Sequence, residues 1–341
     1  MQDMEKIISG KVYEIMEFTS LGRSGLKVSK LCLGTMNFGT ETEEKEAFKI
    51  MDAAVDAGIN FFDTANVYGW GENAGLTEEI IGRWFAQGGG RREKVVLATK
   101  FYGEMHNPYD GPNKAAGLSS YKMRRHLDAS LRRLQTDHIE LYQMHHVDRN
   151  VSWDELWEGF SIAMYQGKIG YVGSSNFAGH DLVKAQYEAK AKGMLGLVSE
   201  QHKLSLLCRL PELEVLPAAE EHGIGIIAWS PLDGGLLSGH ALRPVEGSRR
   251  SNNPERVERH RAQLEAFEAF CKELGETEAN VALAWTLTRP AMTAPIIGPR
   301  TLEQLETALR VVDIKLGESE LQRLDEIFPG PGGAAPKAYA W

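Results

Sequence analysis

Cysteine and positive charge are both scarce in this 341-residue chain, and each scarcity excludes a class of protein. The three cysteines, Cys32, Cys208 and Cys271, are widely spaced and form no C-x-x-C pair. Neither a disulfide framework nor a metal site is therefore predicted. The formal net charge is -9 and the pI is about 5.7. An acidic chain of this kind argues against nucleic-acid binding, which usually requires a basic patch.

Long apolar runs are also absent. No window of about 18 uninterrupted apolar residues occurs, so no membrane span is predicted. The first residues lack the apolar segment of a signal peptide, and the few cysteines suit a reducing compartment, so we predict a cytoplasmic location. We interpret residues 1–15 as an N-terminal extension, residues 16–330 as one domain and residues 331–341 as a C-terminal tail.

Short apolar runs of β type recur along the chain, with helical patterns between them. Eight strands are predicted, at residues 30–36, 61–65, 95–100, 139–145, 169–175, 196–201, 225–230 and 294–298. Alternating strands and helices imply right-handed crossovers and a parallel sheet. Eight such units are the number that closes a (β/α)8 TIM barrel, the predicted α/β fold, and an open doubly wound sheet is the alternative.

Three helical segments carry further local signals. Residues 43–58 have apolar residues at helical spacing and end on a glycine, which is typical of a helix C-terminus. Residues 119–137 place Met123 and Leu127 on one apolar stripe, and residues 301–310 open with Thr301 and Gln304 at the spacing of a capping box. The long Gly/Pro/Arg-rich segment at about 231–255, after the seventh strand, is predicted to be a functional loop.

Polar residues stand where the predicted strands end, and the C-terminal strand ends are where a barrel carries its chemistry. Asp63 ends the second strand, Lys100 the third and His145 the fourth, while Tyr68 lies in the loop after Asp63. A tyrosine with its ordinary pKa near 10 is a poor acid at neutral pH, and a neighbouring lysine ammonium lowers that pKa. An aspartate would hold the lysine, and a histidine would orient a carbonyl. Together the four residues predict a proton donor for a carbonyl that receives a hydride from a cofactor.

The chain resembles the aldo-keto reductases from about residue 17 to residue 330. The matching pieces are GINFFDTANVYG, ATK, IELYQMHHVD, GYVGSSNF, SEQ, WSPLDGGLLSG and IIGPRTLEQLE, in this order. The resemblance implies that Asp63, Tyr68, Lys100 and His145 are the catalytic residues. It also implies reversible hydride transfer from NADPH to a small aldehyde, ketone or ketosugar, and it leaves both a monomer and a homo-oligomer open.

The same resemblance implies a set of cofactor-binding residues. Ser175, Asn176 and Gln201 would hold the nicotinamide carboxamide, and the turn after the seventh strand would approach the pyrophosphate. Arg300 would bind a 2′-phosphate through its planar fork, which favours NADP(H) over NAD(H). The full set is Gly34, Thr35, Met36, Ser175, Asn176, Gln201, Trp229, Ser230, Pro231, Leu232, Gly234, Arg249, Gly298, Arg300 and Gln304.

Two positions depart from the family pattern. Leu204 stands where similar sequences carry a tyrosine that stacks on the nicotinamide, so we expect an apolar wall there without aromatic stacking. Thr307 and Ala308 replace a Glu–Asn pair near the adenine, which puts the tightness of the adenine contact in doubt.

Competing interpretations were weighed against this one. His145 and His146 could indicate a metal site, but adjacent strand residues point to opposite faces, so no metal is predicted. The stretch GWGENA (69–74) matches a dinucleotide fingerprint, but the acidic residue expected at the end of the next strand is absent. A functional alternative is an NADP(H)-binding regulator similar to channel β subunits, with little turnover. Such regulators often replace the histidine of the catalytic set, so the presence of His145 here favours catalysis.

Overall fold

A computed structural model of the chain describes residues 6–8, 11–13, 16–106, 108–243 and 254–332. Eight parallel strands form a closed barrel in chain order, and the eighth closes on the first through Ile296 beside Cys32 and Ile297 beside Leu33. The predicted barrel is confirmed, and the open sheet is wrong. The strands are β1 Cys32–Gly34, β2 Phe61–Asp63, β3 Val96–Phe101, β4 Ile139–Met144, β5 Ile169–Ser175, β6 Leu197–Lys203, β7 Gly225–Trp229 and β8 Met292–Ile297.

Helices surround the barrel and bury the apolar stripes that the sequence predicts. In the 120–134 helix, Met123, Leu127, Leu131 and Leu134 are all buried. Serine or threonine caps several N-termini; Thr301 Oγ1, for example, accepts a hydrogen bond from Gln304 N. The helices are α1 Glu44–Asp56, α2 Leu76–Phe85, α3 Ser120–Leu134, α4 Trp153–Tyr165, α5 Gly179–Ala191, α6 Val215–His222, α7 Pro254–Arg259, α8 Arg261–Leu274, α9 Glu278–Leu287, α10 Leu302–Leu309 and α11 Glu318–Ile327.

A β-hairpin of Phe18–Ser20 and Lys27–Ser29 closes the N-terminal end of the barrel. Its Leu21 and Val28 join the apolar residues inside the barrel. Gly22 in its turn has φ +54°, and a Cβ there would lie 2.4 Å from Val198 O, so only glycine allows this close approach. The floor of the barrel is therefore sealed, and access is left to the opposite end, where the strands end.

Two further features complete the fold. Residues 6–8 and 11–13 pair as short antiparallel strands before the hairpin. None of the helices in the described ranges is long and apolar enough to cross a membrane.

Candidate functional site

Four strand-end residues that the sequence singled out meet at the open end of the barrel. Asp63 is the last residue of β2, Lys100 lies near the end of β3, and His145 directly follows β4. Tyr68 lies in the loop after β2. Lys100 is fully buried, while Asp63 and Tyr68 keep 2% and 8% of their surface exposed. The site is thus built from neighbouring strands, as the parallel register requires.

Lys100 is the centre of this cluster. Its Nζ donates hydrogen bonds to Asp63 Oδ2 at 2.7 Å, to the backbone oxygen of Thr64 at 2.8 Å and to Tyr68 Oη at 3.0 Å. An ammonium has three N–H donors, so these acceptors use its full capacity. The lysine is therefore fixed in place, with its charge directed at the phenol.

The second oxygen of Asp63 is held by two side-chain amides. Gln143 Nε2 donates to Asp63 Oδ1 at 3.2 Å, and Gln201 Nε2 donates at 2.7 Å. Gln143 was not among the site residues predicted from the sequence, and since β4 also carries Glu140, polarity alone did not single it out. Gln201, predicted to hold a carboxamide, also supports the Asp63 carboxylate.

Burial dominates the ionisation of the phenol. Burial raises the pKa of Tyr68, and the Lys100 charge opposes this rise without cancelling it. The net lowering of the Tyr68 pKa expected from the sequence is wrong, because the loss of solvation depends on the tertiary structure. Burial lowers the pKa of Lys100, but Asp63 and Tyr68 outweigh burial, and the net pKa is raised. The pair at neutral pH is therefore a phenol beside an ammonium.

His145 lies edge-on to Tyr68, with ring centroids 6.1 Å apart and an interplanar angle of 81°. Burial, together with the nearby Lys100 and His146, lowers the pKa of His145 to about 2, so its imidazole is neutral at physiological pH. The His145 and His146 rings stack at 5.1 Å. The argument that these side chains point apart is wrong, because β4 ends at Met144 and strand alternation ends with it.

The described part of the chain contains no group of three or more His, Cys, Asp and Glu side chains that could hold a metal ion. Of the Gly-rich stretch 69–74, only Trp70 lines the cleft that opens beside Tyr68 and His145. Residues 71–73 form a single 3₁₀ turn there.

A cleft of about 1110 Å³ opens above the cluster. Its volume exceeds the roughly 300–1,000 Å³ of ordinary small-ligand pockets. Asp63, Tyr68 and His145 line it, while Lys100 lies behind them. Arg249 lies outside the described residues. The other predicted cofactor residues all line the cleft: Gly34, Thr35, Met36, Ser175, Asn176, Gln201, Trp229, Ser230, Pro231, Leu232, Gly234, Gly298, Arg300 and Gln304.

Several cleft residues have a left-handed backbone that non-glycine residues rarely adopt. Asn176 has φ 62°, Ser230 φ 53° and Trp70 φ 53°. Such conformations cost about 1–3 kcal/mol each and cluster at functional sites. Asn176 Nδ2 donates to His145 O at 3.1 Å, and Trp229 Nε1 donates to Asn176 Oδ1 at 3.1 Å. Asn176 thus links the ends of three strands.

Trp229 is one of several aromatic residues that line this cleft. Leu204 is fully buried and does not line the cleft, so the apolar wall predicted at that position is wrong. Trp229 ends β7, lines the cleft and carries Lys203 Nζ 5.9 Å from its ring centroid. Trp229, which the sequence placed among the cofactor-binding residues, is the aromatic residue at this strand end, one strand after Gln201.

Arg300 marks the far end of the cleft. Its Nη1 lies 3.2 Å from Glu41 Oε2, and its backbone nitrogen donates to Gln304 Oε1 at 2.9 Å. Thr307 and Ala308 line the cleft nearby. The donors along the cleft thus comprise amides near Tyr68, a Ser/Gly turn after β7 and an arginine, a set that fits a dinucleotide with an amide at one end and phosphates beyond it.

Comparison with known proteins identifies the family. A model described as the Aldo/keto reductase family matches residues 30–328. The chain belongs to this family. It is therefore an oxidoreductase, of a family that uses a nicotinamide cofactor and acts on small carbonyl compounds. The predicted resemblance is confirmed.

Individual relatives cover nearly the whole of this aldo/keto reductase. An uncharacterized oxidoreductase, YrpG, of Bacillus subtilis is 64% identical over 326 residues, which span 96% of this chain and 100% of the relative. A putative aryl-alcohol dehydrogenase of Schizosaccharomyces pombe is 33% identical, with coverage of 90% and 94%. A probable voltage-gated potassium channel subunit beta of Arabidopsis thaliana is 31% identical, with coverage of 88% and 92%.

Proposed function

We propose that this protein reduces an aldehyde or ketone with NADPH and that Tyr68 delivers the proton. The observation that carries the proposal is the 3.0 Å contact between Tyr68 Oη and the buried Lys100 Nζ, at a cleft wall shared with His145. A phenol beside a fixed ammonium, open to a cleft, suits general acid catalysis. The reverse reaction, alcohol oxidation, uses the same groups in the opposite direction.

Each member of the cluster has a separate task. Burial keeps Tyr68 protonated until a carbonyl oxygen gains negative charge and takes the proton. Lys100 then stabilises the phenolate, because its charge is directed at Tyr68 Oη through a charge-assisted hydrogen bond. Asp63 keeps the lysine charged despite its burial. The neutral imidazole of His145 donates an N–H to the same carbonyl oxygen and holds it close to the phenol.

The cleft residues would hold the cofactor, and a bound nicotinamide supplies the hydride that no side chain can supply. Ser175, Asn176 and Gln201 would bind the carboxamide, with Trp229 as the ring platform. The turn from Ser230 through Pro231 and Leu232 to Gly234 would hold the pyrophosphate, and Gly34, Thr35 and Met36 the adjacent ribose. Arg300, with Gln304 and Gly298, would bind the adenosine end, and Arg249 would add a second arginine.

The cofactor preference follows from the chemistry of Arg300. A guanidinium binds a 2′-phosphate through two parallel N–H donors, an interaction that NAD(H) lacks. We therefore favour NADP(H).

The substrate end of the cleft is aromatic. Tyr102 lies edge-on to His146 at 5.1 Å, and Tyr68 lies 5.7 Å from Trp70, which is 48% exposed at the mouth. Flat apolar surfaces of this kind stack on planar groups. We therefore place aromatic aldehydes ahead of ketosugars among the substrates, in keeping with the putative aryl-alcohol dehydrogenase among its relatives.

The test is NADPH consumption with an activated aromatic aldehyde by the wild type, Tyr68→Phe and Tyr102→Phe. Loss of the Tyr68 hydroxyl should lower kcat by roughly 10²–10⁴-fold while NADPH binding persists. Tyr102 lines the same cleft without touching Lys100, so its variant should keep most of kcat. Equal rates for the wild type and Tyr68→Phe would refute Tyr68 as the donor. A wild type that binds NADPH but reduces no aldehyde or ketone would favour a regulatory role.

A further inference from the structure

A fully buried carboxylate, Glu200, lies behind the cleft and has no part in the chemistry above. It precedes Gln201 on β6, and because strand residues alternate, the two side chains leave the strand on opposite faces. Gln201 enters the cleft and Glu200 does not. Burial raises the pKa of Glu200, so this position disfavours a charged carboxylate. A buried carboxyl group is costly unless its hydrogen bonds compensate for the lost solvation.

The hydrogen bonds of Glu200 flank two cofactor-site residues. Its Oε2 accepts from Ser174 Oγ at 2.5 Å, and its Oε1 accepts from Phe177 N at 3.0 Å. The residues between these two donors are Ser175 and Asn176. Glu200 is therefore hydrogen-bonded to the residue before and to the residue after the pair that would bind the carboxamide.

Ser175 and Asn176 lie between these two hydrogen bonds, and the backbone of Asn176 needs such a restraint. Asn176 has φ 62°, a conformation that asparagine tolerates but does not prefer. In the same conformation its side chain bonds His145 O and Trp229 Nε1. If the segment relaxed, both of these contacts would be lost along with the carboxamide donors.

A third hydrogen-bonding partner completes the surroundings of Glu200. His202, two residues further along the same strand and therefore on the same face, brings Nδ1 to 2.9 Å from Glu200 Oε1. This ring is partly exposed, whereas the carboxylate is not. The carboxylate therefore has partners on three elements: the end of β5, the turn after it and β6.

We propose that Glu200 is a positioning residue, which fixes Ser175 and Asn176 in the conformation that binds the nicotinamide end of the cofactor. The inference rests on the proposed function, since it assumes that these two residues contact the carboxamide. Without Glu200 only a fraction of molecules would hold the segment in the binding conformation, and the apparent Kd would rise in inverse proportion to that fraction.

Binding of two probes separates this role from a general loss of structure. In the proposed binding mode NADPH would occupy both ends of the cleft, whereas adenosine 2′,5′-bisphosphate is only its adenosine half and lacks the nicotinamide that would meet Asn176. For Glu200→Ala we expect the Kd of NADPH to rise about tenfold or more and the Kd of the bisphosphate to stay unchanged. Glu200→Gln, which keeps an oxygen for Phe177 N, should recover most of the affinity.

Glu78 provides the matched control. It is also a fully buried carboxylate, bonded to Thr99 Oγ1 at 2.6 Å and Arg133 Nε at 2.8 Å, and it does not line the cleft. Glu78→Ala should lose thermal stability but keep its affinity for both probes. If Glu200→Ala does not fold, Ser174→Ala replaces it, and a severalfold selective loss of NADPH affinity is then expected.

The outcomes distinguish this proposal from the proposed function. Wild-type NADPH affinity in Glu200→Ala would overturn the positioning role. If Glu200→Ala does not fold, the same result in Ser174→Ala would overturn it. So would an equal loss for both probes, or the same selective loss in Glu78→Ala. A selective loss combined with full activity of Tyr68→Phe would support the positioning role and refute only the proton donor. A wild type that binds no nicotinamide cofactor would overturn both.

Discussion

Replacing Lys100 with methionine should separate the structural and catalytic roles of the buried cluster. Methionine is flexible and of similar length, so it can fill the space without leaving a large cavity. The change removes the three hydrogen bonds from Nζ and leaves Asp63, which is 2% exposed, without its cation. The amides of Gln143 and Gln201 still reach Asp63 Oδ1, but neither carries charge.

The expected loss of stability follows from this unpaired carboxylate. Removing one partner of a buried ion pair typically costs about 3–5 kcal/mol of unfolding free energy. The double variant Lys100→Met/Asp63→Asn removes both charges and leaves a neutral amide that can still accept from Gln143 and Gln201. Replacing both members of a buried pair is often close to neutral, so the double variant should regain most of the lost stability.

The expected loss of activity has a different origin. Lys100 donates one charge-assisted hydrogen bond to the phenol, an interaction worth about 1.5–3 kcal/mol. Because about 1.36 kcal/mol corresponds to a tenfold change in rate, kcat should fall roughly 10- to 150-fold at neutral pH. The double variant lacks the same bond, so its rate should stay as low as that of Lys100→Met.

Urea unfolding would give the free energies, and steady-state reduction of an aromatic aldehyde would give kcat. The decisive comparison is between the two readouts in the double variant. Recovery of stability without recovery of rate supports the assigned role of Lys100. A double variant that regains both, or a Lys100→Met variant with wild-type kcat, would refute it.

Two more predictions concern the cleft and the core. Glu41→Gln removes an acidic partner of Arg300 at 3.2 Å. Because such partly exposed pairs are typically worth about 0.2–1 kcal/mol, the ratio of NADPH to NADH affinity should rise roughly 1.4- to fivefold. Equilibrium titration with both cofactors checks this, with the cleft residue variant Glu303→Gln as control, and an unchanged ratio would contradict it. Burial lowers the pKa of His126 from 6.5 to about 4, so the unfolded chain binds more protons between these pH values, and stability should fall as the pH falls through that window, by at most about 1.4 kcal/mol per pH unit. Urea midpoints from pH 6.5 to 4.5 should fall less steeply in His126→Asn, and identical slopes would speak against the assignment.

The element types could be predicted because their signals are local. All eight barrel strands overlap the short β-type runs predicted from the sequence, and their number predicted closure. The four candidate catalytic residues were predicted on the same basis, since a polar residue at the end of a parallel strand lies at the open end of the barrel whatever the details of packing. The cap at Thr301 was also readable, because it depends only on a spacing of three residues.

The contacts between strands were not readable in this way. Gln143 and Glu200 are both visible as polar residues on predicted strands, yet what they bond depends on the register with β2 and β5. The apolar wall of the cleft was misplaced at Leu204 for the same reason. Which residue near a strand end faces the cleft is set by how neighbouring strands are staggered. The order of residues along the chain does not reveal that stagger.

The ionisation of the site depended most on the tertiary structure. The sequence by itself determined that an aspartate, a lysine and a histidine stand at strand ends, with a tyrosine in the loop after the aspartate, because local periodicity fixes where strands stop. Only the packed barrel decided that burial would raise the pKa of Tyr68 against the opposing charge of Lys100, and would hold His145 neutral. Loss of solvation depends on everything that surrounds a group, and those surroundings come from residues far apart in the chain.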